Sequence, residues 1–305
     1  MLNRIRARAG ALGLIATAVL FAGLSPAFAG MGQPSPGQMG LQQPATEVAR
    51  QIHSFHDFVN TIIIVITIFV MLLLAIVMLK YNERANPTPS KTSHNTLLEV
   101  VWTVVPVLIL VAIAIPSFKL LMLQYSYPKP DLTIKATGYQ WYWSHEYPDH
   151  GGFSFDSVMM TDEDRQAAIK KGMPENQVPR LLAVDNEVIV PVNKTVHVLV
   201  TANDVIHNWT VPSFGSKVDA VPGRITATWF RAEKEGVYFG QCSELCGKDH
   251  AFMPIAVRVV KDETFKAWAA AMKSKDKKGA AEIIRKAALE QAGLSKVADA
   301  AGAQR

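Results

Sequence analysis

Two long apolar segments constrain the fold of this chain more than any other feature. Residues 58–79 and 100–118 contain no Asp, Glu, Lys or Arg, and each is long enough to cross the hydrocarbon core of a bilayer. Pro106 and Pro116 interrupt the second segment, but neighbouring groups can satisfy the carbonyls that proline frees within a membrane. Buried helices of a soluble protein are the alternative, yet the length and lack of charge favour a transmembrane hairpin over residues 58–121.

The charges between the two segments predict the orientation of this hairpin. The short connecting loop carries Lys80, Arg84 and Lys91, opposed only by Glu83. Because short loops rich in Lys and Arg remain in the cytoplasm, both ends of the mature chain are expected on the outer side.

The start of the chain is typical of an exported protein. Three Arg lie within the first eight residues, an apolar run covers residues 9–24, and an A-x-A cleavage pattern begins at Ala27. We expect a signal peptide at residues 1–29, with an uncleaved membrane anchor as the alternative. Residues 30–57 are rich in Gly, Pro, Gln and Met at their start and are predicted to form a flexible N-terminal segment.

Short β-branched and aromatic runs dominate the chain between Asp131 and Val260. In residues 195–200 the three valines alternate with other residues, which predicts a strand with one buried face. Turn residues separate this run from several similar ones, and the pattern predicts an all-β sandwich or barrel over residues 131–260. The similar runs are residues 181–184, 188–190, 225–230, 236–240 and 255–260.

Two further segments flank or interrupt the predicted strands. Residues 148–180 are polar and are expected to form a long surface loop with a short helix near residues 163–171. Phe265, Trp268 and Met272 follow one another at helical spacing, which predicts an amphipathic helix at the start of the C-terminal segment, residues 261–305. For the remainder of that segment the composition predicts neither tertiary contacts nor a function.

Charge is distributed unevenly along the chain. Residues 131–260 contain twelve Lys or Arg against sixteen Asp or Glu, whereas residues 261–305 contain ten against six. An acidic extracytoplasmic domain favours a basic protein partner over nucleic acid, because phosphate binding requires clustered cations.

The strongest chemical signal lies between two predicted strands. Cys242, Cys246, His250 and Met253 fall within twelve residues, and His207 lies upstream. In an exported protein the two cysteines could form a disulfide, but sulfur and imidazole ligands together indicate copper, zinc or iron–sulfur chemistry. Zinc has little use for Met, and a mononuclear blue-copper site uses one Cys rather than two. Five other histidines are predicted to have no ligand role: His53, His56, His94 and His145 as surface or loop residues, and His197 as a strand residue.

A second cysteine allows two copper ions to share two bridging thiolates, each copper then taking one imidazole. Met253 would be a weak ligand of one copper, and a backbone carbonyl near Glu244 could serve the other. Such a site is suited to electron transfer, because it needs no open coordination position and little change in geometry.

These residues resemble a known family. Gly-Gln-Cys-Ser-Glu-Leu-Cys-Gly, beginning at Gly240, resembles the binuclear copper (CuA) loop of bacterial cytochrome c oxidase subunit II. Residues 204–209 resemble the upstream ligand segment of that family, residues 139–143 its aromatic stretch, and residues 96–103 the start of its second membrane helix. The resemblance extends from about Val48 to about Met272.

The resemblance implies a cupredoxin-like β domain on a two-helix anchor, and a role for individual residues. Trp141 would be the entry point for electrons, with core packing as the alternative. Glu99 would lie at the mouth of a proton path into subunit I, with a carboxylate snorkelling at a helix end as the alternative. Glu244 would also bind a magnesium ion shared with subunit I. The implied metal ligands are His207, Cys242, Glu244, Cys246, His250 and Met253, and the implied docking acids are Asp204, Asp185, Glu146 and Asp149.

The function that the resemblance implies is electron input into a proton-pumping oxidase. The chain would accept electrons from cytochrome c and pass them to the haem and copper centres of subunit I for oxygen reduction. Its expected partners are subunits I and III, cytochrome c and membrane lipid, with the copper domain on the periplasmic side of a bacterial inner membrane. The alternatives are a copper domain of the nitrous-oxide reductase type, a quinol oxidase subunit and a copper-delivery or storage protein. The membrane spans disfavour the nitrous-oxide reductase type. The complete ligand set disfavours a quinol oxidase subunit, and the placement of Trp and Glu disfavours a copper-delivery or storage protein.

Overall fold

Two long helices precede the β domain in the computed structural model, which describes residues 32–293. Helix α1 spans Glu47–Lys80 and helix α2 spans Thr96–Gln124. Both are long and apolar enough to cross a membrane, and within the described chain α2 buries none of its side chains. The predicted pair of membrane helices is therefore confirmed, whereas the predicted signal peptide lies outside the described residues.

The start of α1 departs from the prediction of a flexible segment. Residues 47–57 form the first three turns of α1, so the helix extends about 17 Å beyond the uncharged stretch. The Thr46 hydroxyl accepts a hydrogen bond from the Ala49 amide at 3.0 Å and donates one to the Phe214 carbonyl at 2.8 Å. Arg50 forms an ion pair with Glu233. These contacts hold the first turns of α1 against the β domain.

The end of α2 is also attached to the β domain. The Trp229 indole N–H donates to the Gln124 carbonyl at 3.0 Å, and the Tyr127 hydroxyl donates to the Ala227 carbonyl at 2.8 Å. These two hydrogen bonds connect the end of α2 and the residues that follow it to the strand formed by residues 226–231. The domain is thus bound to both membrane helices at their outer ends.

Ten strands within residues 32–293 form two five-stranded sheets. The strands are β1 Leu132–Tyr139, β2 Tyr142–Tyr147, β3 Phe153–Ser157, β4 Val188–Pro191, β5 Thr195–Ala202, β6 His207–Val211, β7 Ser216–Ala220, β8 Thr226–Arg231, β9 Gly236–Cys242 and β10 Pro254–Val260. The first sheet has the order β3-β2-β1-β5-β8 and the second the order β4-β10-β9-β6-β7. Strands β1 and β5 are parallel, as are β4 and β10, and the other pairs are antiparallel.

The core lies between the two sheets. Val196, Val198 and Val200 of β5 are all buried while their neighbours are partly exposed, as the alternation predicted. Trp143 of the first sheet and Trp209 of the second are also buried in this core. The predicted β sandwich is therefore confirmed.

Two local predictions were wrong, and several strands, β7 among them, were not among the predicted runs. The supposed surface loop at residues 148–180 contains strand β3 as well as helix α3, Asp162–Lys170; only the helix was anticipated. Residues 181–184 form turns and a single bridge rather than a strand, because Leu181 has a positive φ of 66° that interrupts extended backbone. Strand β7 was not predicted, since its Ser, Lys and Asp hide the alternation.

The C-terminal segment is ordered further than the sequence indicated. Helix α4, Asp262–Lys273, matches the prediction, and a second helix α5 spans Lys277–Gln291. The Gln291 side chain donates to the Val259 carbonyl at 2.8 Å and accepts from Arg258 at 2.8 Å. The buried face of α5 consists largely of alanines, which give a weak apolar signal in sequence although they permit close packing.

The buried Arg258 leads to a prediction about stability. Its guanidinium is almost fully buried and is paired with both carboxylate oxygens of Glu187. Glu187→Ala should lower the free energy of unfolding by about 3–5 kcal/mol, because it leaves the buried charge of Arg258 without its carboxylate partner. Glu146→Ala, which removes an exposed pair with Lys135 at 3.8 Å, should cost about 0–1 kcal/mol. Urea denaturation of the metal-free chain measures the stability loss in both variants. Equal losses would contradict the larger contribution of the buried Arg258–Glu187 pair.

Candidate metal centre

Neighbouring strands bring the sulfur and imidazole groups together. His207 begins β6 and Cys242 ends β9, and these strands pair with Trp209 opposite Cys242. Cys246, His250 and Met253 follow on the loop that leads into β10. Both cysteines are free, with their Sγ atoms 3.9 Å apart, so no disulfide joins them in this structure.

Each sulfur has its own imidazole. His207 Nδ1 lies 3.8 Å from Cys242 Sγ, and His250 Nδ1 lies 3.5 Å from Cys246 Sγ. The Met253 thioether lies 3.6 Å from Cys246 Sγ, whereas the Glu244 carbonyl lies 3.3 Å from Cys242 Sγ. The group therefore has a thioether at one thiol and a carbonyl oxygen at the other.

This donor set fits two copper ions. Two thiols between two imidazoles supply the soft ligands that copper prefers. His207, Cys242, Cys246 and Met253 are buried, so their donors are preorganised and shielded from water. Zinc would use the Cys and His groups but has little use for the thioether.

Hydrogen bonding fixes the orientation of the His207 ring. Its Nε2 lies 2.9 Å from an Asp204 carboxylate oxygen, which places the ring proton there and leaves Nδ1 free toward the thiols. Gly138 allows β1 to approach this ring, since a Cβ at that position would lie 2.8 Å from His207 Cδ2. Trp143 packs against the ring edge-on, with centroids 5.9 Å apart.

The two thiols are predisposed to different protonation states. Burial favours the neutral form of both, but hydrogen bonds from His207 and from the backbone outweigh it and lower the pKa of Cys242. Burial and the neighbouring Cys242 charge raise the pKa of Cys246. A site with both thiolates therefore requires a bound cation, and metal binding should release a proton.

The carbonyl of Cys246 links the centre to an aromatic side chain at the surface. It accepts hydrogen bonds from the Trp141 indole N–H at 3.2 Å and from the Gln140 side chain at 2.9 Å. Trp141 is partly exposed, whereas Trp143 is fully buried and donates to the Met253 carbonyl at 3.3 Å. Of these two indoles, only Trp141 connects the metal loop to solvent.

Comparison with known proteins identifies the family. The protein-family model described as "Cytochrome C oxidase subunit II, periplasmic domain" matches residues 132–260. The family model of the subunit II transmembrane domain matches residues 34–120. The chain belongs to the cytochrome c oxidase subunit II family. The predicted oxidase subunit, its two-helix anchor and its copper-binding β domain are thereby confirmed.

Individual relatives agree with this assignment. The chain is 51% identical over 247 residues to a probable cytochrome c oxidase subunit 2 of Rickettsia bellii, covering 81% of this chain and 88% of the relative. It is 48% identical over 270 residues to cytochrome c oxidase subunit 2 of Cereibacter sphaeroides, covering 85% and 88%. The crystal structure of the periplasmic domain of subunit II from Bradyrhizobium japonicum is 57% identical, covers 48% of this chain and 97% of that chain, and has a TM-score of 0.42.

The acids expected to dock a partner do not share one environment. The Asp204 carboxylate accepts hydrogen bonds from two backbone amides as well as from His207, and Asp185 accepts from the amides of residues 158 and 186. Glu146 lies near the end of β2, about 13 Å from Tyr142 at the start of that strand. Asp149 follows β2 and accepts from the Thr133 amide at 2.8 Å. The carboxylates of Asp204, Asp185 and Asp149 thus hold backbone in place, whatever else they do.

Two other predicted residues lie apart from the buried donors. The Glu244 side chain is exposed, although its carbonyl faces Cys242. Glu99 lies in the first turn of α2, at the end of the hairpin predicted to face the cytoplasm. Neither carboxylate belongs to the buried donor group.

One prediction about histidine was wrong. His145 is buried rather than a surface or loop residue, because it shares the inward face of β2 with Trp143 and Tyr147. Its Nδ1 lies 3.0 Å from the Ser157 hydroxyl, and burial lowers its pKa to about 3. His145 is therefore a neutral core residue.

Exposed apolar side chains in the segments that carry the metal centre were not predicted from the sequence. Leu245 within the cysteine loop is 79% exposed, and Val205, Ile206 and Phe252 are also exposed. Contiguous exposed apolar groups often mark an interaction surface. The signal in sequence was an apolar pair directly before His207 and a leucine between the cysteines.

The contacts of Asp204 predict a role in positioning rather than docking alone. Asp204→Asn should weaken copper binding by about 10- to 100-fold, because it disturbs the group that orients a ligand imidazole. Glu146→Gln, the matched control at an exposed acid, should leave copper affinity unchanged. Competition with a copper chelator measures both variants. Normal copper affinity in Asp204→Asn, with only salt-dependent loss of partner binding, would return Asp204 to the docking surface.

Proposed function

We propose that this subunit accepts electrons from cytochrome c at a binuclear copper centre and passes them to the haem and copper centres of subunit I. Oxygen reduction there would be coupled to proton pumping. The observation that carries the proposal is the pair of free thiols 3.9 Å apart, each beside its own imidazole nitrogen. His207, Cys242, Cys246, His250, Met253 and the Glu244 carbonyl would hold the metals.

The protein's contribution is a rigid and shielded ligand set. When bound, the two coppers would supply a redox site that shares one electron between them. Trp143 and Asp204 hold the His207 ring from two sides, and strands β6, β9 and β10 anchor the loop. Because six donors are provided and most are buried, the site has no need of an exchangeable position for substrate.

Metal analysis and electron paramagnetic resonance of the full chain, purified without its partner subunits and loaded with copper, test this proposal. We expect two coppers per chain and one unpaired electron shared equally between them in the oxidised state. One localised copper, or a Cys242–Cys246 disulfide in the metal-loaded protein, would overturn it.

Electron entry is proposed at the partly exposed Trp141. Its indole bonds directly to the carbonyl of a proposed bridging cysteine, and the exposed residues Leu245 and Phe252 belong to the same loop region. The acidic balance of residues 131–260 would steer a basic cytochrome toward the domain. Apolar contact at the loop would then determine the docked position.

The topology supports a proposal for the surroundings of the chain. The copper domain would face the periplasm of a bacterial inner membrane, and the hairpin would contact subunits I and III. Glu99, at the cytoplasmic end of α2, would lie where a proton path into subunit I begins. An ionisable residue at a span boundary is consistent with such a role.

Glu244 offers a separate test at the boundary with subunit I. Its exposed carboxylate is free to bind a magnesium ion while its carbonyl remains directed at Cys242. Glu244→Ala should therefore retain both coppers, since the carbonyl is unchanged, but lose one magnesium from the assembled oxidase. Elemental analysis of the complex measures both metals, with Glu235→Ala as a control at another acid of the same domain. Unchanged magnesium would contradict the shared site.

A further inference from the structure

A groove separates α1 and α2 near their outer ends. Its volume is about 750 Å³, within the range of sites that hold small molecules. Residues three and four apart line it on each helix, including Gln51, Ser54 and Phe58 on α1 and Ile115, Lys119 and Leu120 on α2. One face of each helix therefore forms one wall.

The lining changes from polar to apolar with depth in the membrane. Lys119 directly follows the uncharged stretch 100–118, so its ammonium group lies at the level of the outer headgroups. Ser54 and Gln51 precede Phe58 by about 6 and 10 Å along α1, toward the same side. Phe58 and Ile115 lie deeper, at the level of the acyl chains. This gradient matches that of a phospholipid molecule.

Lys119 is the charged group of this groove. No Asp or Glu oxygen within residues 32–293 lies within 4 Å of its ammonium nitrogen. The hydroxyl of Ser54 and the amide of Gln51 add neutral donors at the same end. An uncompensated cation with two donors favours an anionic ligand over an apolar helix of a partner.

We propose that this groove binds one anionic phospholipid of the outer leaflet. The headgroup phosphate is held by Lys119 with the donors of Ser54 and Gln51, and an acyl chain runs inward along Phe58 and Ile115. The lipid fills the space between the two helices at this depth. This site is distinct from the metal centre and does not depend on the proposed electron transfer.

The test uses the assembled oxidase in nanodiscs of phosphatidylcholine containing phosphatidylglycerol with a photoactivatable acyl chain. We expect adducts on peptides that include residues 51–58 or 112–123. Lys119→Gln should lower the adduct yield about fivefold, the effect of removing one cation near an anionic headgroup. Lys119→Arg should retain the yield, and Lys80→Gln, at the other end of α1, is the matched control.

A second variant separates headgroup binding from the space that the lipid occupies. Ile115→Trp should lower the yield with Lys119 intact, because it fills the deeper part of the groove; subunit content confirms assembly. Equal yields in wild type and Lys119→Gln would overturn the proposal. So would an absence of lipid adducts in wild type combined with cross-links from residue 115 to another subunit, which would assign the groove to a protein partner.

Discussion

Replacing Cys242 with serine is expected to destroy the two-copper centre and to lower turnover with cytochrome c more than about 100-fold, beyond the loss typical of a residue that only supports a ligand. Cys242 joins β9 to the metal loop and lies beside His207, the Glu244 carbonyl and Cys246. A serine hydroxyl is a hard, weakly acidic donor that cannot replace a bridging thiolate. The shared-electron spectrum should therefore disappear.

The matched variants for this prediction are Ser243→Ala and Met253→Leu. Ser243→Ala changes the adjacent side chain and should retain both coppers and normal turnover. Met253→Leu should retain copper but shift its reduction potential, because a weak ligand tunes the metal more than it holds it. Copper content, paramagnetic resonance and steady-state oxygen consumption are measured for all three. A shared-electron signal in Cys242→Ser would contradict the bridging role.

Replacing Trp141 is the second change with a large expected effect. Trp141→Ala should slow electron transfer from cytochrome c by about 10- to 100-fold, comparable with the effect of misplacing a reacting group by about 1 Å. Trp141→Phe retains an aromatic ring but loses the hydrogen bond to the Cys246 carbonyl. Its rate of electron transfer should lie between those of Trp141→Ala and wild type. Both coppers should remain, since Trp141 is not among the donors.

Salt dependence distinguishes electron entry from docking. Steering by surface charge is screened over about 8 Å at physiological ionic strength, so a docking defect should weaken as salt rises. The Trp141 variants should instead be slow at every salt concentration with nearly normal binding. Tyr142→Phe, which keeps the ring that stacks on Tyr139, is the aromatic control. Stopped-flow transfer and equilibrium binding are measured across a salt series, and copper loss in Trp141→Ala would reassign the residue to packing.

The sequence was most informative where one physical requirement dominated. A bilayer demands long uncharged helices, so the hairpin was evident, and the buried valines of β5 followed a simple alternation. Strand β7 was missed because its Ser, Lys and Asp hide the alternation, although it pairs with the neighbouring strand β6. Helix α5 was missed because its packing depends on partners distant in sequence. The three buried alanines of α5, for example, give little periodic signal, yet the helix is tied to Arg258 through Gln291.

The grouping of the sulfur and imidazole side chains was predictable for a different reason. Cys242, Cys246, His250 and Met253 lie close together in sequence, and the pairing of β6 with β9 places His207 beside Cys242. What could not be read from sequence was the second set of contacts: Asp204 on the His207 ring, and Gln140 on the Cys246 carbonyl. Alternation on β2 likewise decides that His145 faces the core, but only once the ends of that strand are known.

The double attachment of the β domain to its helices has a consequence for how fast the subunit can work. Domains joined by a single linker usually swivel relative to one another. Here the start of α1 and the end of α2 each hold the domain, at Phe214 and at Trp229. Attachment at two points restricts this rotation, so the height and tilt of the cysteine loop above the bilayer vary little. In the proposed electron transfer, the cysteine loop would therefore be positioned once, during folding, and would not have to find its orientation again before each electron leaves.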